Sequence, residues 1–248
     1  MKTAQITRYH LLDTLRGLTL ISMIAYHLMW DLVHLHGMKW EWLDAVPGML
    51  WQKSICCTFI LLSGFCWSLG HHPWKVGLLV SSAGLLVTAA TRLALPQEPV
   101  WFGVLTLLGL SMLLAAVFEP LLVRIAPTGG LVGSILLFAL MYSMGRGTVL
   151  GVLSLPRVLY RGGILSNIFG FQTADFYSAD YFPVFPWVFL FFAGYYLYRM
   201  AQTRGWLEYG WLCWGSAHPV TCLGRHSLLV YLAHQPVMYG VLLLSGMI

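Results

Sequence analysis

The first long apolar segment of the sequence contains ionisable side chains of the kinds that move protons. On a helix that turns about 100° per residue, five of them fall within about 60° of one another: Asp13, Arg16, His27, Asp31 and His34. Asp31 follows His27 by one turn, so a hydrogen bond between them would fix the imidazole tautomer and raise its basicity. Such a pair suits a general base or a nucleophile, although Asp31 could instead cap the helix end in interfacial water. We predict that His27 and Asp31 are catalytic.

The last apolar segment contains a second group of polar side chains. Tyr231, His234 and Gln235 share one helical face. Pro236 leaves a backbone carbonyl of the preceding turn without its donor, which is common beside a cavity. Two interpretations stay open, a polar network that ties helices together and the second half of a reaction site. We include His234 among the candidate catalytic residues.

These side chains must be positioned by elements that lie in a membrane. Hydrophobic residues make up 58% of the 248 residues, charged residues make up 9%, and the mean hydropathy is +0.74. A soluble domain carries about 25% charged residues, so this composition excludes one. Each charge in hydrocarbon costs at least about 2.5 kcal/mol, and the polar face of the first segment must therefore point into the protein or into a wet cavity.

Composition and spacing also disfavour several kinds of site. The net charge of +5 comes from basic residues that stand singly at the ends of apolar runs, which is typical of topology signals and not of a nucleic-acid surface. The five cysteines form neither a CxxC pair nor a disulfide framework. No HxxxH or HExxH spacing is present, and we expect no metal and no nucleic-acid partner.

Apolar runs of roughly 20 residues predict helices that cross about 30 Å of hydrocarbon. The seven candidate spans are Leu11–Val33, Gly48–Gly70, Trp74–Leu95, Val100–Val123, Gly129–Met144, Phe185–Met200 and Ser227–Ile248. We predict an all-α polytopic membrane bundle of about seven transmembrane helices, folded as a single domain over residues 1–248 and located in the inner membrane of the cell. A cytoplasmic N-terminus puts eight Lys and Arg residues inside and six outside.

Two polar stretches interrupt the apolar pattern. Residues 34–47 are polar and aromatic and read as a loop at a membrane interface. Residues 145–186 form a connection that is long for a structureless loop, which favours a functional or partly helical segment. Within it, the run DYFPVFPW at 180–187 predicts the start of a helix, with prolines where backbone donors are not needed.

Both ends of the chain carry motifs that resemble those of a known family. The run LDTLRGL at 12–18, followed by His27, resembles the opening helix of the heparan-α-glucosaminide N-acetyltransferase family. The run LGRHSLLVYLAHQP at 223–236 resembles the closing helix of its short bacterial members, and residues 180–187 are similar to their proline-rich helix start. The ten residues between Arg16 and His27 also resemble the first helix of the broader transmembrane acyltransferase superfamily.

The resemblance implies transfer of an acetyl or other acyl group from cytoplasmic acyl-CoA to an amine or hydroxyl of an acceptor. His27, oriented by Asp31, would deprotonate the acceptor or carry the acyl group, and Tyr231 and His234 would complete the site. The expected residues for the co-substrate acetyl-CoA are Asp13, Arg16, Arg225, Tyr231 and Gln235. Arginines on the predicted inner side would bind its phosphates: Arg8, Arg16, Arg199, Arg204 and Arg225. The expected acceptor-binding residues are His34, His36, Asp180 and Trp187.

The acceptor that the resemblance implies is a carbohydrate, because the lysosomal enzyme of the family acts on the terminal glucosamine of heparan sulfate. That enzyme has an asparagine where this chain has His27, and its histidine linked to acetyl transfer lies in the following loop. In this sequence that loop offers His34 and His36. The expected partners are acyl-CoA, the acceptor and the lipid bilayer, and a homodimer is compatible with these expectations.

Two other functions are compatible with the polar stripes. A transporter would use them to line a solute path, although the two halves of the sequence show no internal repeat by eye. A haem- or quinone-binding protein would use His27 and His234 as ligands or hydrogen-bond donors. Acyl transfer is the function that the motifs favour.

Overall fold

The computed structural model describes residues 9–34, 36–213 and 219–245. In chain order, the helices and strands of this part are α1 (His10–His34), α2 (Val46–Trp67), α3 (Pro73–Ala94), α4 (Val104–Leu122), α5 (Pro127–Met141), β1 (Thr148–Val149), β2 (Leu153–Ser154), α6 (Ile164–Phe169), α7 (Val184–Thr203), α8 (Pro219–Arg225) and α9 (Ser227–Leu244). Short 3-10 turns lie at Met144–Arg146, Arg157–Arg161, Trp206–Glu208 and Gly210–Cys213.

The all-α membrane fold predicted from composition is confirmed. A long helix lies at each of the seven predicted positions, and the end of the last predicted span, residues 246–248, falls outside the described residues. Within the described part, five of these helices are long and apolar enough to cross a membrane. They are α2, α3, α4, α9 and the segment Pro127–Arg146, which begins with α5. α1 and α7 are long enough but less apolar, so their crossing of the membrane stays a prediction.

The long connection before α7 is ordered by local pairing. β1 and β2 form an antiparallel hairpin, with Thr148 opposite Ser154, and Leu150 and Gly151 at its tip have positive φ angles. The sequence predicted a partly helical segment here, and α6 supplies one short helix, but the hairpin was not expected. Residues 184–203 form the helix that the proline-rich run predicted, with non-helical backbone at Phe185.

The described residues group into two compact units. One boundary falls within α2 between Phe59 and Ile60, and the other falls after α7 between Thr203 and Arg204. The first unit contains α1, the start of α2, α8 and α9. Its apolar core is formed by five buried side chains, which are Leu20, Met23, Tyr26, Leu43 and Ile55. The expectation of a single domain over residues 1–248 stays a prediction.

Within the first unit, α8 crosses α1 at backbone contact. A Cβ atom built on Gly17 would lie 1.9 Å from the carbonyl oxygen of Val220, and one on Gly224 would lie 1.8 Å from that of Asp13. Each helix therefore needs a glycine where the other passes, because a side chain would force the two backbones apart. At the same crossing, the hydroxyl groups of Thr14 and Thr221 are 3.0 Å apart and hydrogen-bonded.

The second unit contains the end of α2, the helices α3–α7 and the hairpin. Its helices α3 and α4 approach each other closely at glycines, since a Cβ on Gly84 would lie 2.7 Å from Thr106 N and one on Gly109 would lie 2.4 Å from Ser81 N. Small residues give such helices their van der Waals contact in lipid, where no hydrophobic force draws helices together.

The α1–α8 crossing yields a stability prediction. Gly224→Ala places a methyl group against the Asp13 carbonyl, which cannot rotate away as a side chain can. We expect a loss of about 1–3 kcal/mol, as for overpacked cores. The measurement is the thermal unfolding midpoint of the detergent-purified protein.

Gly133→Ala in α5 is the matched control, because a Cβ on Gly133 has no atom within 4 Å. We expect this control to be neutral or slightly stabilising, since alanine is a better helix former than glycine. Equal midpoints for the two variants would contradict the backbone contact.

Candidate active site

α1 and α9 bring the two predicted catalytic imidazoles together in the first unit. The ring centroids of His27 and His234 are 5.0 Å apart, and the rings are tilted by 54°. The side-chain amide of Gln235 donates to His27 Nδ1 over 3.1 Å. The sequence placed these residues on two separate helical faces, and the structure shows that the two faces meet.

The imidazole of His234 is held by its own helix. Its Nδ1 donates to the backbone carbonyl of Tyr231, one turn earlier. The Tyr231 ring packs edge-on against the His234 ring, with centroids 5.3 Å apart. His234 is buried, and within the described part of the chain its Nε2 has no hydrogen-bond partner.

Aromatic side chains support His27 from α1 and α2. The Tyr26 ring lies edge-on to both His27 and Trp51, at centroid distances of 5.9 and 5.3 Å. The Trp51 indole N–H donates to Ser22 Oγ over 2.8 Å, which ties α2 to α1 beside the imidazole. Sequence analysis did not single out Tyr26 or Trp51, and the signal that could have found Tyr26 is its position next to His27.

Asp31 does not have the partner that the helical spacing suggested. Among the described residues no hydrogen bond joins Asp31 to His27, since Gln235 occupies the Nδ1 position. Asp31 is 3% exposed, and its Oδ2 has no hydrogen-bond partner in the described ranges. Gln235, and not Asp31, is therefore the residue whose hydrogen bond orients the His27 ring.

The predicted acceptor-binding histidines follow Asp31 along the chain. His34 stacks on Trp30 at 4.4 Å, and its Nε2 lies 3.2 Å from Asp44 Oδ1. His36 Nε2 is buried without a hydrogen-bond partner in the part of the chain that the structure describes. Asp31 and His36 thus each present an unpartnered buried polar atom near the end of α1.

At the other end of α1, Asp13 holds two arginines. Its carboxylate lies 3.9 Å from Arg16 on the same helix and 3.5 Å from Arg225 on α8. The Arg225 guanidinium also donates to His10 Nδ1 over 3.1 Å. Asp13 is buried, whereas the side chains of Arg16 and Arg225 keep 28% and 30% of their surface exposed, so both guanidinium groups have donors left for a ligand.

The remaining arginines have other surroundings. Arg199 donates to the carbonyls of Leu122 and Ile125, where it caps the C-terminal end of α4. Arg204 lies over the ring of Trp206, and Arg8 falls outside the described residues. The carbonyls at the end of α4 therefore explain why an arginine lies at position 199. Among the described residues, no group of three or more His, Cys, Asp or Glu side chains is placed to hold a metal ion.

Asp180 and Trp187 belong to the second unit. The backbone N–H of Val104 donates to Asp180 Oδ2 over 3.4 Å, at the N-terminus of α4. The Trp187 ring is buried among three aromatic rings, those of Phe138, Phe182 and Tyr142. These contacts give both residues a structural role, and their acceptor binding stays a prediction.

Comparison with known proteins gives the family. A family model described as heparan-alpha-glucosaminide N-acetyltransferase, catalytic, matches residues 8–236. The chain belongs to this family. No curated protein and no solved structure gives a significant match. The resemblance carried by the two ends of the sequence is confirmed.

Membership in the heparan-alpha-glucosaminide N-acetyltransferase family establishes the general class of the protein. The family consists of membrane acetyltransferases that use acetyl-CoA as donor and, in general, a sugar as acceptor. Together with the apolar helices, this makes the chain a multi-pass membrane protein of an acetyltransferase family.

Asp180 yields a prediction about stability and pH. Although the residue keeps an accessible edge, burial of its carboxyl raises the pKa from 3.8 to about 6, and the hydrogen bond from Val104 opposes the rise. Between these values the folded state binds more protons than the unfolded state, so this group removes stability as the pH rises from about 4 to 6. The side chain of Asp180→Asn cannot ionise. We therefore expect its thermal unfolding midpoint to rise relative to that of wild type as the pH rises from about 4 to 6.

The control for Asp180→Asn is Asp175→Asn, which removes an exposed carboxylate of the same connection. The measurement is the unfolding midpoint of each protein from pH 4 to 8. A difference between Asp180→Asn and wild type that stays constant across this range would contradict the raised pKa.

Proposed function

We propose that this protein transfers an acetyl group from cytoplasmic acetyl-CoA to an amine or hydroxyl of a carbohydrate acceptor, in the inner membrane of the cell. The imidazoles of His27 and His234 would handle the proton that the acceptor releases. The observation that carries the proposal is the placement of these two rings 5.0 Å apart in a chain of an acetyltransferase family.

The pairing of the two imidazoles supports acid–base chemistry. Acyl transfer from a thioester needs a group that removes the acceptor's proton and a donor for the negative charge on the carbonyl oxygen. Two histidines with rings in contact range offer both kinds of group at one position. Sequence analysis left a transporter as an alternative, and the family match favours the enzyme.

Arg16 and Arg225 would bind the phosphates of coenzyme A. Arginine binds phosphate through paired N–H donors, and both guanidinium groups are partly exposed while Asp13 fixes their positions. Arg16 and His27 are eleven positions apart on α1, which is about 16 Å along a helix. In coenzyme A the phosphates are likewise separated from the thioester, by an extended pantetheine arm.

The acceptor would bind at the end of α1 that carries Asp31. Sugars present hydroxyl and amino groups that both donate and accept hydrogen bonds, and Asp31 Oδ2 and His36 Nε2 are polar atoms without partners in the described residues. Trp42 is 42% exposed and lies against Trp51, so it offers an aromatic surface on which a sugar ring could stack. These polar atoms and this aromatic surface support the prediction that His34 and His36 help to bind the acceptor.

Substitution of the two imidazoles tests this function. We expect His27→Ala and His234→Ala each to lower acetyl transfer to glucosamine by about 100-fold or more, with acetyl-CoA binding retained, because each removes a group that acts on the reacting atoms. The measurement is transfer of radiolabelled acetyl by detergent-purified protein, alongside acetyl-CoA binding by calorimetry.

His72→Ala is the control for general effects of removing a histidine, since His72 is exposed at the start of α3. We expect it to keep wild-type activity. If wild-type protein neither binds acetyl-CoA nor turns over its thioester, the proposed function is wrong.

The phosphate site gives a separate prediction. Arg225→Gln removes one guanidinium while Arg16 still pairs with Asp13, and we expect the KM for acetyl-CoA to rise about tenfold, or about 1.4 kcal/mol, with kcat little changed. The effect should vanish with acetyl-pantetheine, which carries no phosphate.

The matched control is Arg161→Gln, which removes an exposed arginine of the second unit. It should leave both kinetic constants at their wild-type values. An equal rise in KM for acetyl-CoA and for acetyl-pantetheine in Arg225→Gln would show that Arg225 does not contact phosphate.

A further inference from the structure

The hydrogen bond to Gln235 determines which nitrogen of His27 carries the proton. A side-chain amide nitrogen can only donate, and Gln235 Nε2 lies 3.1 Å from His27 Nδ1. In this orientation of the amide His27 Nδ1 accepts, and the single proton of the neutral ring lies on Nε2. His27 thus offers an N–H donor to any ligand beside it.

The bond to Tyr231 determines the opposite arrangement in His234. A backbone carbonyl can only accept, so His234 Nδ1 carries the proton and donates it to the Tyr231 carbonyl. The other nitrogen, Nε2, then keeps its lone pair. This lone pair is buried and has no partner among the described residues, so it is available to accept a hydrogen bond or a proton from a ligand.

The two rings are thus in contact range but chemically unlike. His27 presents a hydrogen-bond donor, and His234 presents a base. Both neighbours that fix these tautomers lie on α9: Gln235 for His27, and the Tyr231 carbonyl for His234. A pair of histidines without such neighbours could exchange these roles. Here the exchange would break the hydrogen bond to the Tyr231 carbonyl and would require the Gln235 amide to rotate until its oxygen faces His27 Nδ1.

We propose that these fixed tautomers assign the roles in acetyl transfer: His234 Nε2 takes the proton from the acceptor, and His27 Nε2–H binds the thioester carbonyl oxygen. Gln235 is then a positioning residue that acts through His27. This inference rests on the proposed function, which it deepens by dividing the chemistry between the two imidazoles.

The resulting step balances without any further reactant. The acceptor nitrogen or oxygen forms a bond to the thioester carbonyl carbon while its proton passes to His234 Nε2. The carbonyl oxygen takes the electron pair and accepts a hydrogen bond from His27 Nε2–H. When the carbonyl re-forms, the carbon–sulfur bond breaks, the electron pair leaves on the coenzyme A sulfur, and the proton on His234 passes to that sulfur.

The tautomers can be measured without any activity. In nitrogen-15 NMR spectra of histidine-labelled protein in lipid, protonated and unprotonated ring nitrogens have well-separated chemical shifts. We expect His27 to show protonated Nε2 and bare Nδ1, and His234 to show protonated Nδ1 and bare Nε2, with signals assigned from their loss in His27→Gln and His234→Gln. A proton on His27 Nδ1 or on His234 Nε2 in the neutral rings would overturn the inference.

Amide substitutions test the roles, because a glutamine side chain can donate a hydrogen bond but cannot act as a base. We expect His27→Gln to recover about tenfold or more of the kcat that His27→Ala loses. We expect His234→Gln to be as inactive as His234→Ala. Equal kcat values for His27→Gln and His27→Ala, or recovered activity in His234→Gln, would overturn the assignment.

Gln235→Leu tests the positioning role at nearly constant volume. Without the amide, His27 loses the donor that fixes its tautomer, and we expect a mixture of both tautomers in the NMR spectrum and a fall in kcat with KM for acetyl-CoA little changed. The control is Gln202→Leu, at an exposed position near the end of α7. An unchanged His27 spectrum in Gln235→Leu would overturn the role of Gln235.

Failure of the proposed function and failure of this inference give different results. If wild-type protein transfers no acetyl group, the proposed function and the two assigned roles fall together, while the NMR spectra still decide the tautomers. If wild-type protein is active but the tautomers are reversed, the function stands and only the division of roles is overturned.

Discussion

The energetic cost of placing polar groups in hydrocarbon governs the whole first unit. α1 carries Asp13, Arg16, His27 and Asp31 within a helix that is otherwise apolar, and each charge left in lipid would cost at least about 2.5 kcal/mol. For Asp13 and His27 the structure meets this cost with partners from the last part of the chain. Arg225 on α8 approaches Asp13, and Gln235 on α9 approaches His27.

The two partners differ in a way that suits their positions. Near the start of α1, charges pair with charges, and the arginines keep part of their surface exposed, so water still screens them. Beside His27 the partner is a neutral amide. A buried carboxylate there would have required a buried counter-charge, whereas an amide–imidazole hydrogen bond needs none. A neutral partner also adds no negative charge that would favour protonation of the imidazole.

The sequence predicted the long helices and the polar faces because both follow from local periodicity. Continuous apolar runs define the helices, and the spacing of 3.6 residues per turn places His27 on the same face as Arg16, and His234 on the same face as Tyr231. Periodicity does not say which face meets which, and so sequence analysis paired His27 with Asp31 on the same helix. In the structure that partner is Gln235, 208 positions away. Similarly, α8 is only seven residues long and carries a glycine at its contact, so it has no apolar signature of its own.

The wide sequence separation between α1 and its partners has a consequence for biogenesis. In chain order α1 precedes every other described helix, whereas α8 and α9 follow all of them. Until α8 and α9 have been made, the polar face of α1 must be shielded by the insertion machinery or by other helices, because its own partners do not yet exist. The pairing of His27 with His234 and Gln235 is therefore completed only after the helices between α1 and α8 have been made. A nascent chain that stops before residue 219 lacks Arg225, His234 and Gln235, and so it cannot form either of the polar contacts that α8 and α9 make with α1.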